Sequence, residues 1–170
     1  MIEILILYEL SKKVLTMYGI SKEIKTEFSV ILTPSYGTIK PALKRLETQG
    51  CVKTQKNISK GGRPSVYYSL TRDGEKKLVE LLLEKPLENP IQFLTTARVK
   101  LIAATVLENN SRKELYNVLK TKSELLMIEI KRILDSNTLE YCSRMVYDNL
   151  VCEYKNFTSL LEGLERVSKD

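Results

Sequence analysis

The chain contains no histidine. That removes the commonest general base, the commonest metal ligand and the usual switch near neutral pH. No Ser, Cys, Asp or Glu stands in a recognisable nucleophile–base motif, so the residues argue against an enzyme and name no catalytic group, metal or cofactor. Tryptophan is absent too, so a ligand pocket would be lined by tyrosine, phenylalanine and aliphatic side chains. Cysteine is scarce and odd in number. Cys51, Cys142 and Cys152 lack metal-ligand spacing and read as packed or idle thiols in a reducing cytoplasm. No stretch approaches the roughly 18 apolar residues of a membrane span. The run Ile4-Leu5-Ile6-Leu7 is short, is flanked by Glu3 and Glu9, and lacks the basic start and cleavage site of a signal peptide. The expectation is a cytoplasmic protein with no membrane partner.

What is present is an ordinary soluble composition, 43% hydrophobic and 28% charged over 170 residues, enough for one compact domain or two small ones. The net charge of +6 is unevenly placed. Residues 1–85 hold 15 Lys/Arg against 9 Asp/Glu, and residues 86–170 hold 12 of each. A merely solvated surface would spread the excess. Its segregation points to a polyanion partner for the first half and another task for the second.

The densest signal lies in residues 33–68. Thr33 is a good N-cap and Pro34 suits a first helical position, so a helix is expected over 33–48. Ile39, Leu43 and Leu46 form its inward face. Ser35, Tyr36, Thr38, Lys40 and Lys44 are left to the other sides, where they would read or position DNA in a major groove. Pro41 cannot donate to the carbonyl of Gly37, which predicts a bend near Gly37, not a break. Gly50 closes the helix. Two strands are expected next, 51–57 and 65–70, with Tyr67 on the second, around a loop containing Lys60, Gly61, Gly62 and Arg63. The glycines allow close backbone approach, and Lys60 and Arg63 carry charge to phosphates or a minor groove. A polar helix face is ordinarily just solvated, and many surface hairpins carry such a loop. Their direct succession and the charge asymmetry favour a DNA-binding reading.

Around this stretch, residues 1–13 predict a helix apolar on nearly every side. Ile2, Leu5, Ile6 and Leu10 form one stripe, while Ile4, Leu7 and Tyr8 cover others. Such a helix needs cover from a second chain or from the C-terminal half, or else is a core helix of the monomer. Tyr18-Gly19 reads as a turn. Ser21 would cap a helix that turns Ile24 and Phe28 inward and Lys22 and Lys25 outward to hold a phosphate. Thr71 would cap a helix over 72–85 with Leu78, Leu81 and Leu82 buried.

The segments GTIKPALKRLETQG and GGRPSVYYSLTRDG together resemble the PadR family of bacterial transcription regulators. The shared features are a G-T-I-x-P-A-L core in the recognition helix, a Gly-Arg wing, a tyrosine pair and a Leu-Thr-x-x-Gly start to the following helix. Lys40 stands where the family usually has tyrosine, giving a charged, flexible contact in place of an aromatic one. The resemblance implies a winged-helix N-domain, a helical C-domain that dimerises, and repression relieved by small effectors.

Lys85-Pro86-Leu87-Glu88-Asn89-Pro90 reads as a linker. Beyond it the chain is helical. Phe93, Ala97, Leu101 and Ala104 share a face over 93–107. Ser111 and Glu114 resemble a capping box opening a long helix through Leu115, Leu119, Leu126, Ile130 and Ile133. Asn137 and Glu140 would cap the last helix. In that helix Tyr147, Leu150, Tyr154, Phe157, Leu161 and Leu164 follow a 3, 4 spacing, a seam for a second chain or for the helix's own domain. The fold class expected is mainly α with a small β-hairpin wing: a winged helix-turn-helix domain over 1–85 and an α-helical dimerisation domain over 91–170. The function expected is a dimeric repressor on an inverted-repeat operator, released by a small aromatic or hydrophobic effector, with Ile2, Ile6, Leu10 and the 147–164 seam at the dimer interface. The rival reading is a winged helix used as a protein-interaction module.

Overall fold

The structure is a computed structural model and describes residues 1–58, 64–136 and 139–167. The chain separates into two compact units, Met1–Glu84 with Ile91–Leu107, and Lys85–Pro90 with Glu108–Asp170.

The first unit is built on α1 (Ile2–Lys12), which buries residues 4–10 without interruption. Helices α2 (Met17–Phe28), α3 (Tyr36–Thr48) and α4 (Arg72–Leu83) pack on it, as does strand β3 (Pro64–Leu70). This corrects the placing of Ile6 and Leu10 at a dimer interface. They are 0% and 4% exposed inside their own unit, because several elements of the same chain already cover all sides of α1. Ile2 is half-buried.

α2 begins earlier than Ser21. Thr16 caps it, its Oγ1 accepting from the Gly19 amide at 3.1 Å, so Tyr18-Gly19 lies in the first helical turn. Ile24 and Phe28 are fully buried. α3 begins later than Thr33: the Ser35 carbonyl accepts from the Thr38 and Ile39 amides, both at 3.0 Å, which makes Ser35 the N-cap. Pro34 keeps Thr33 out of the helical region and stands before the helix. The helix then runs unbroken across Pro41. Gly50 ends it at φ +73°, its amide donating to the Glu47 carbonyl (3.0 Å) and that of Cys51 to Leu46 (2.9 Å). This is the Schellman arrangement, which favours glycine in the left-handed region.

Strand β2 (Val52–Ile58) pairs antiparallel with β3, setting Gln55 opposite Tyr67 and Ile58 opposite Pro64. A third strand, β1 (Leu15–Thr16), lies on the other side of β3, giving the order β1-β3-β2. Two residues carry no alternation, so this strand left no mark in the sequence. Residues 59–63, with Lys60, Gly61, Gly62 and Arg63, fall outside the described residues. Thr71 caps α4 by accepting from the Gly74 amide at 3.0 Å, and it ties the helix to the end of α3 by donating to the Gly50 carbonyl at 2.7 Å. Leu78 and Leu82 are buried, and Leu81 is half-buried.

Helix α5 (Pro90–Ala103) and the short 3-10 turn Ala104–Val106 cluster with the first unit, not with the second as the sequence suggested. The reason is burial on nearly all sides of α5, including Lys100. Its ammonium donates to the Glu84 carbonyl at 2.6 Å and so satisfies the C-terminal end of α4. Removal from water holds the Lys100 ammonium below its usual range, and Glu84 offsets only part of this.

The second unit is a hairpin of two long helices, α6 (Asn109–Leu134) and α7 (Tyr141–Val167). Lys120 pairs with Glu162 at 2.9 Å, and Arg144 donates to the Leu134 carbonyl at 3.1 Å, so the helices run antiparallel. α6 is capped at Glu108, which puts Ser111 and Glu114 inside it; no capping box forms. Asn137 lies outside the described residues. Leu115, Leu119, Leu126 and Ile130 are buried on α6, and Tyr154, Phe157 and Leu161 on α7. The seam expected to face a second chain is therefore turned to α6 over its central three residues, while Tyr147, Leu150 and Leu164 are half-buried. Alternating 3, 4 spacing defines a buried face but not whose helix covers it. Among the described residues, no helix is long and apolar enough to cross a membrane.

Candidate nucleic-acid interface

α2 and α3, with the turn between them, form a helix-turn-helix followed by the β2–β3 hairpin. Ile39, Ala42, Leu43 and Leu46 point α3 into the core. The opposite face carries Gly37, Lys40, Pro41 and Lys44, at helical spacing of three and four. Tyr36, Thr38, Lys40 and Lys44 are all exposed. Ser35 is exposed too, with its Oγ 3.2 Å from Thr38 Oγ1. These five expected residues are brought to one helix face and its N-terminal end.

The outer face of α3 is low. Gly37 has no side chain, and a Cβ there would meet only Ser35 Oγ, at 3.5 Å. Among the described residues, nothing demands glycine at this position. Pro41 adds a flat ring, and beside it Pro41, Lys44, Arg45, Thr48 and Gln49 line an open groove of about 420 Å³. A helix so shaped lets an external surface approach its backbone while Lys40 and Lys44 flank the approach.

The charges sort into two kinds. Arg45 is turned away from partners: its guanidinium donates to Glu3 on α1 through Nε and pairs with the same oxygen at 3.1 Å. Lys12 and Lys13 likewise bridge to Glu27 and Glu23. Among the described residues, no carboxylate pairs with Lys22, Lys25, Lys40 or Lys44. Four unpaired, solvated ammonium groups on α2 and α3 suit the backbone of a nucleic acid.

On the hairpin, residues paired across the strands share a face. Lys53, Gln55, Asn57, Ser65, Tyr67 and Ser69 make one face, wholly polar apart from the half-buried Tyr67 ring, with Thr16 beside it. Thr54, Lys56, Val66 and Tyr68 make the other, which meets α3 through the Thr54 hydroxyl donating to Glu47 at 2.6 Å. Tyr67 is thus on the side of the sheet away from the α3 contact. The sequence reading passed over Lys53 and Lys56, both exposed. With Val52 the one buried residue of β2, alternation gives no signal for them. Burial raises the Cys51 thiol above its ordinary value, in keeping with packing in place of reactivity.

The sequence profile described as the transcriptional regulator PadR-like family matches residues 6–80. No curated protein matches the chain in sequence. Among solved structures, a PadR family transcription regulator from Clostridium difficile R20291 is 35% identical over 45% of this chain and 78% of its own, with TM-score 0.39. The protein smu.1704 from Streptococcus mutans UA159 is 41% identical over 47% of this chain and 71% of its own, with TM-score 0.42. Bacillus subtilis PadR, solved in complex with operator DNA, is 19% identical over 97% of this chain and 96% of its own, with TM-score 0.48. The matched segment runs from α1 into α4 and holds α3, strands β2 and β3 and the Thr71–Gly74 cap. The chain belongs to the PadR-like family of transcriptional regulators.

Proposed function

We propose that the protein is a homodimeric repressor that places α3 in the major groove of an inverted-repeat operator and lays the β2–β3 hairpin beside it as a wing. The observation that carries this reading is the low face Gly37–Lys40–Pro41–Lys44 with its unpaired lysines. Thr38 and Lys40 read base edges, Ser35 and Tyr36 set the helix against sugar and phosphate, and Lys22, Lys25 and Lys44 hold phosphates. Lys53, Lys56 and Tyr67 extend the contact along the hairpin, and Lys60, Gly61, Gly62 and Arg63 complete the DNA-contacting set. The protein acts in the cytoplasm, and a small aromatic or hydrophobic effector releases it from DNA.

The second copy docks on the outer sides of α6 and α7. Leu125 and Ile128 on α6, and Tyr141, Met145, Val146 and Leu160 on α7, leave large apolar side chains in water. These exposed apolar side chains on both helices support this reading. A two-fold pair reads half-sites about one helical turn, ~34 Å, apart. Selection of duplexes from a random pool, with the mass in solution measured alongside, tests both parts. An enriched inverted repeat and a dimer are expected. A dimer that enriches nothing would replace this reading with a protein-interaction module.

A further inference from the structure

Glu9 is the charged residue within the apolar run that α1 buries. It is 1% exposed, and its Oε1 has no hydrogen-bond partner among the described residues. Its Oε2 lies 3.3 Å from Lys12 Nζ. The same ammonium bridges to Glu27 on α2 and stands 3.8 Å from the centre of the Tyr8 ring. The Tyr8 hydroxyl donates to Glu27 Oε1 at 3.1 Å. One cation therefore serves two carboxylates, one from each helix.

The charges acting on Glu9 are Lys12 on its own helix and Glu27 on α2. Lys13 and Glu23, the neighbouring pair, satisfy each other at 3.0 Å. From α3, Arg45 is held by Glu3 at the other end of α1. Among the described residues, α4 and β3, which also pack on α1, set no charge against Glu9. With both carboxylates ionised, the cluster carries a net negative charge and the Glu9 carboxylate bears its share cut off from water, a costly arrangement. A proton on Glu9 removes that charge, gives the carboxyl a donor of its own, and leaves Lys12 and Glu27 as a one-to-one pair.

We propose that Glu9, Lys12 and Glu27 form a proton-operated latch between α1 and the first helix of the helix-turn-helix, closed when Glu9 is protonated and loosened when it is ionised. Because α1 also packs on α3, the latch sets how firmly the recognition helix is seated. Burial pushes the Glu9 carboxyl up, and Lys12 offsets only part of this. Glu27, in spite of its own partial burial, is held down by hydrogen bonds from Lys12 and Tyr8. A carboxyl raised on folding is penalised in full at high pH, and the penalty fades as pH falls towards the unfolded value. Glu27 has the opposite sign and loses its contribution only in stronger acid. With no histidine in the chain, a transition between about pH 5.5 and 8 reports a displaced group. The Met1 amino group, lowered by burial, also approaches that window, and a Glu9 variant separates the two.

The test is thermal melting of the full chain from pH 5 to 8, unmodified and as Glu9→Gln, with the Glu9 carboxyl followed by NMR in the unmodified protein. The variant is expected to melt about 2–4 °C higher at pH 8, the two curves to converge towards pH 5, and the carboxyl to titrate above the ordinary glutamate value of about 4.3. Parallel melting curves, or a carboxyl midpoint at or below that value, would overturn the latch. If the variant does not fold, the midpoint decides alone. Neither measurement involves DNA, so its failure and that of the repressor reading are separate.

Discussion

Gly74 lies directly against the backbone of Cys51: a Cβ built on Gly74 would stand 2.1 Å from the Cys51 carbonyl oxygen. That contact, with the Thr71 hydroxyl on the Gly50 carbonyl, joins the start of α4 to the end of α3. The obstruction is main chain, which cannot turn aside as a side chain can. Gly74→Ala is therefore expected to destabilise the protein by about 1–3 kcal/mol, in the range of overpacked cores. Urea unfolding measures this, and an unchanged midpoint would mean that α4 shifts freely.

Gly37 presents the reverse case. It sits in a helix where a methyl would make only an ordinary contact with Ser35 Oγ. Gly37→Ala is expected to raise stability by up to about 0.5–1 kcal/mol, since alanine favours the helix. The same methyl would stand between α3 and a duplex, so DNA affinity is expected to fall while the melting temperature rises. Equal DNA binding by the two proteins would remove the low face from the mechanism.

Lys40 and Lys44 are unpaired, whereas Arg45 is held by Glu3. Replacing both lysines with alanine is expected to weaken binding on all sequences through Lys44 and to relax the base preference through Lys40. It should also flatten the plot of log affinity against log salt by roughly 0.9 for each phosphate that is no longer neutralised. Arg45→Ala is expected to change that slope little and to cost stability instead. Fluorescence titrations at several salt concentrations decide between them, and identical slopes for all three proteins would refute the division.

Met145 and Leu125 are exposed, and Phe157 is buried between α7 and α6. Leu125→Lys with Met145→Lys is expected to yield folded monomers, seen as a halved mass in solution with unchanged helical circular dichroism. Phe157→Lys is expected to cost about 3–5 kcal/mol or more, because it removes a large core side chain and buries a charge. A doubly substituted protein that remains dimeric would place the interface elsewhere.

The helices were legible wherever an apolar face and a cap coincided. Ile39, Leu43 and Leu46 with Gly50 marked α3, and Thr71 with Leu78 and Leu82 marked α4. Caps were harder to place when several hydroxyls stood near one another. Thr33, Ser35 and Thr38 all suit the role, and the choice of Ser35 depends on where the turn after Phe28 releases the chain. The exposure of the candidate residues Lys40 and Lys44 was legible, because they fall opposite the apolar face. Lys53 and Lys56 were missed because a strand with one buried residue gives almost no alternation to read.

Most of the helices, the basic first half, the polar face of α3 and the kinship with the PadR-like regulators are legible in the amino-acid order alone. Each of these rests on local spacing or on residues near one another in the chain. Packing in three dimensions settles that α1 is covered by its own unit, that Tyr154, Phe157 and Leu161 turn to α6, that α5 clusters with the first unit, and that Arg45 is held by Glu3 while Lys40 and Lys44 pair with no carboxylate among the described residues. The physical reason is the same in every instance. Periodicity states that a face must leave water, and charge states that a group needs a counterpart, but the partner lies far away in the chain and is chosen by packing.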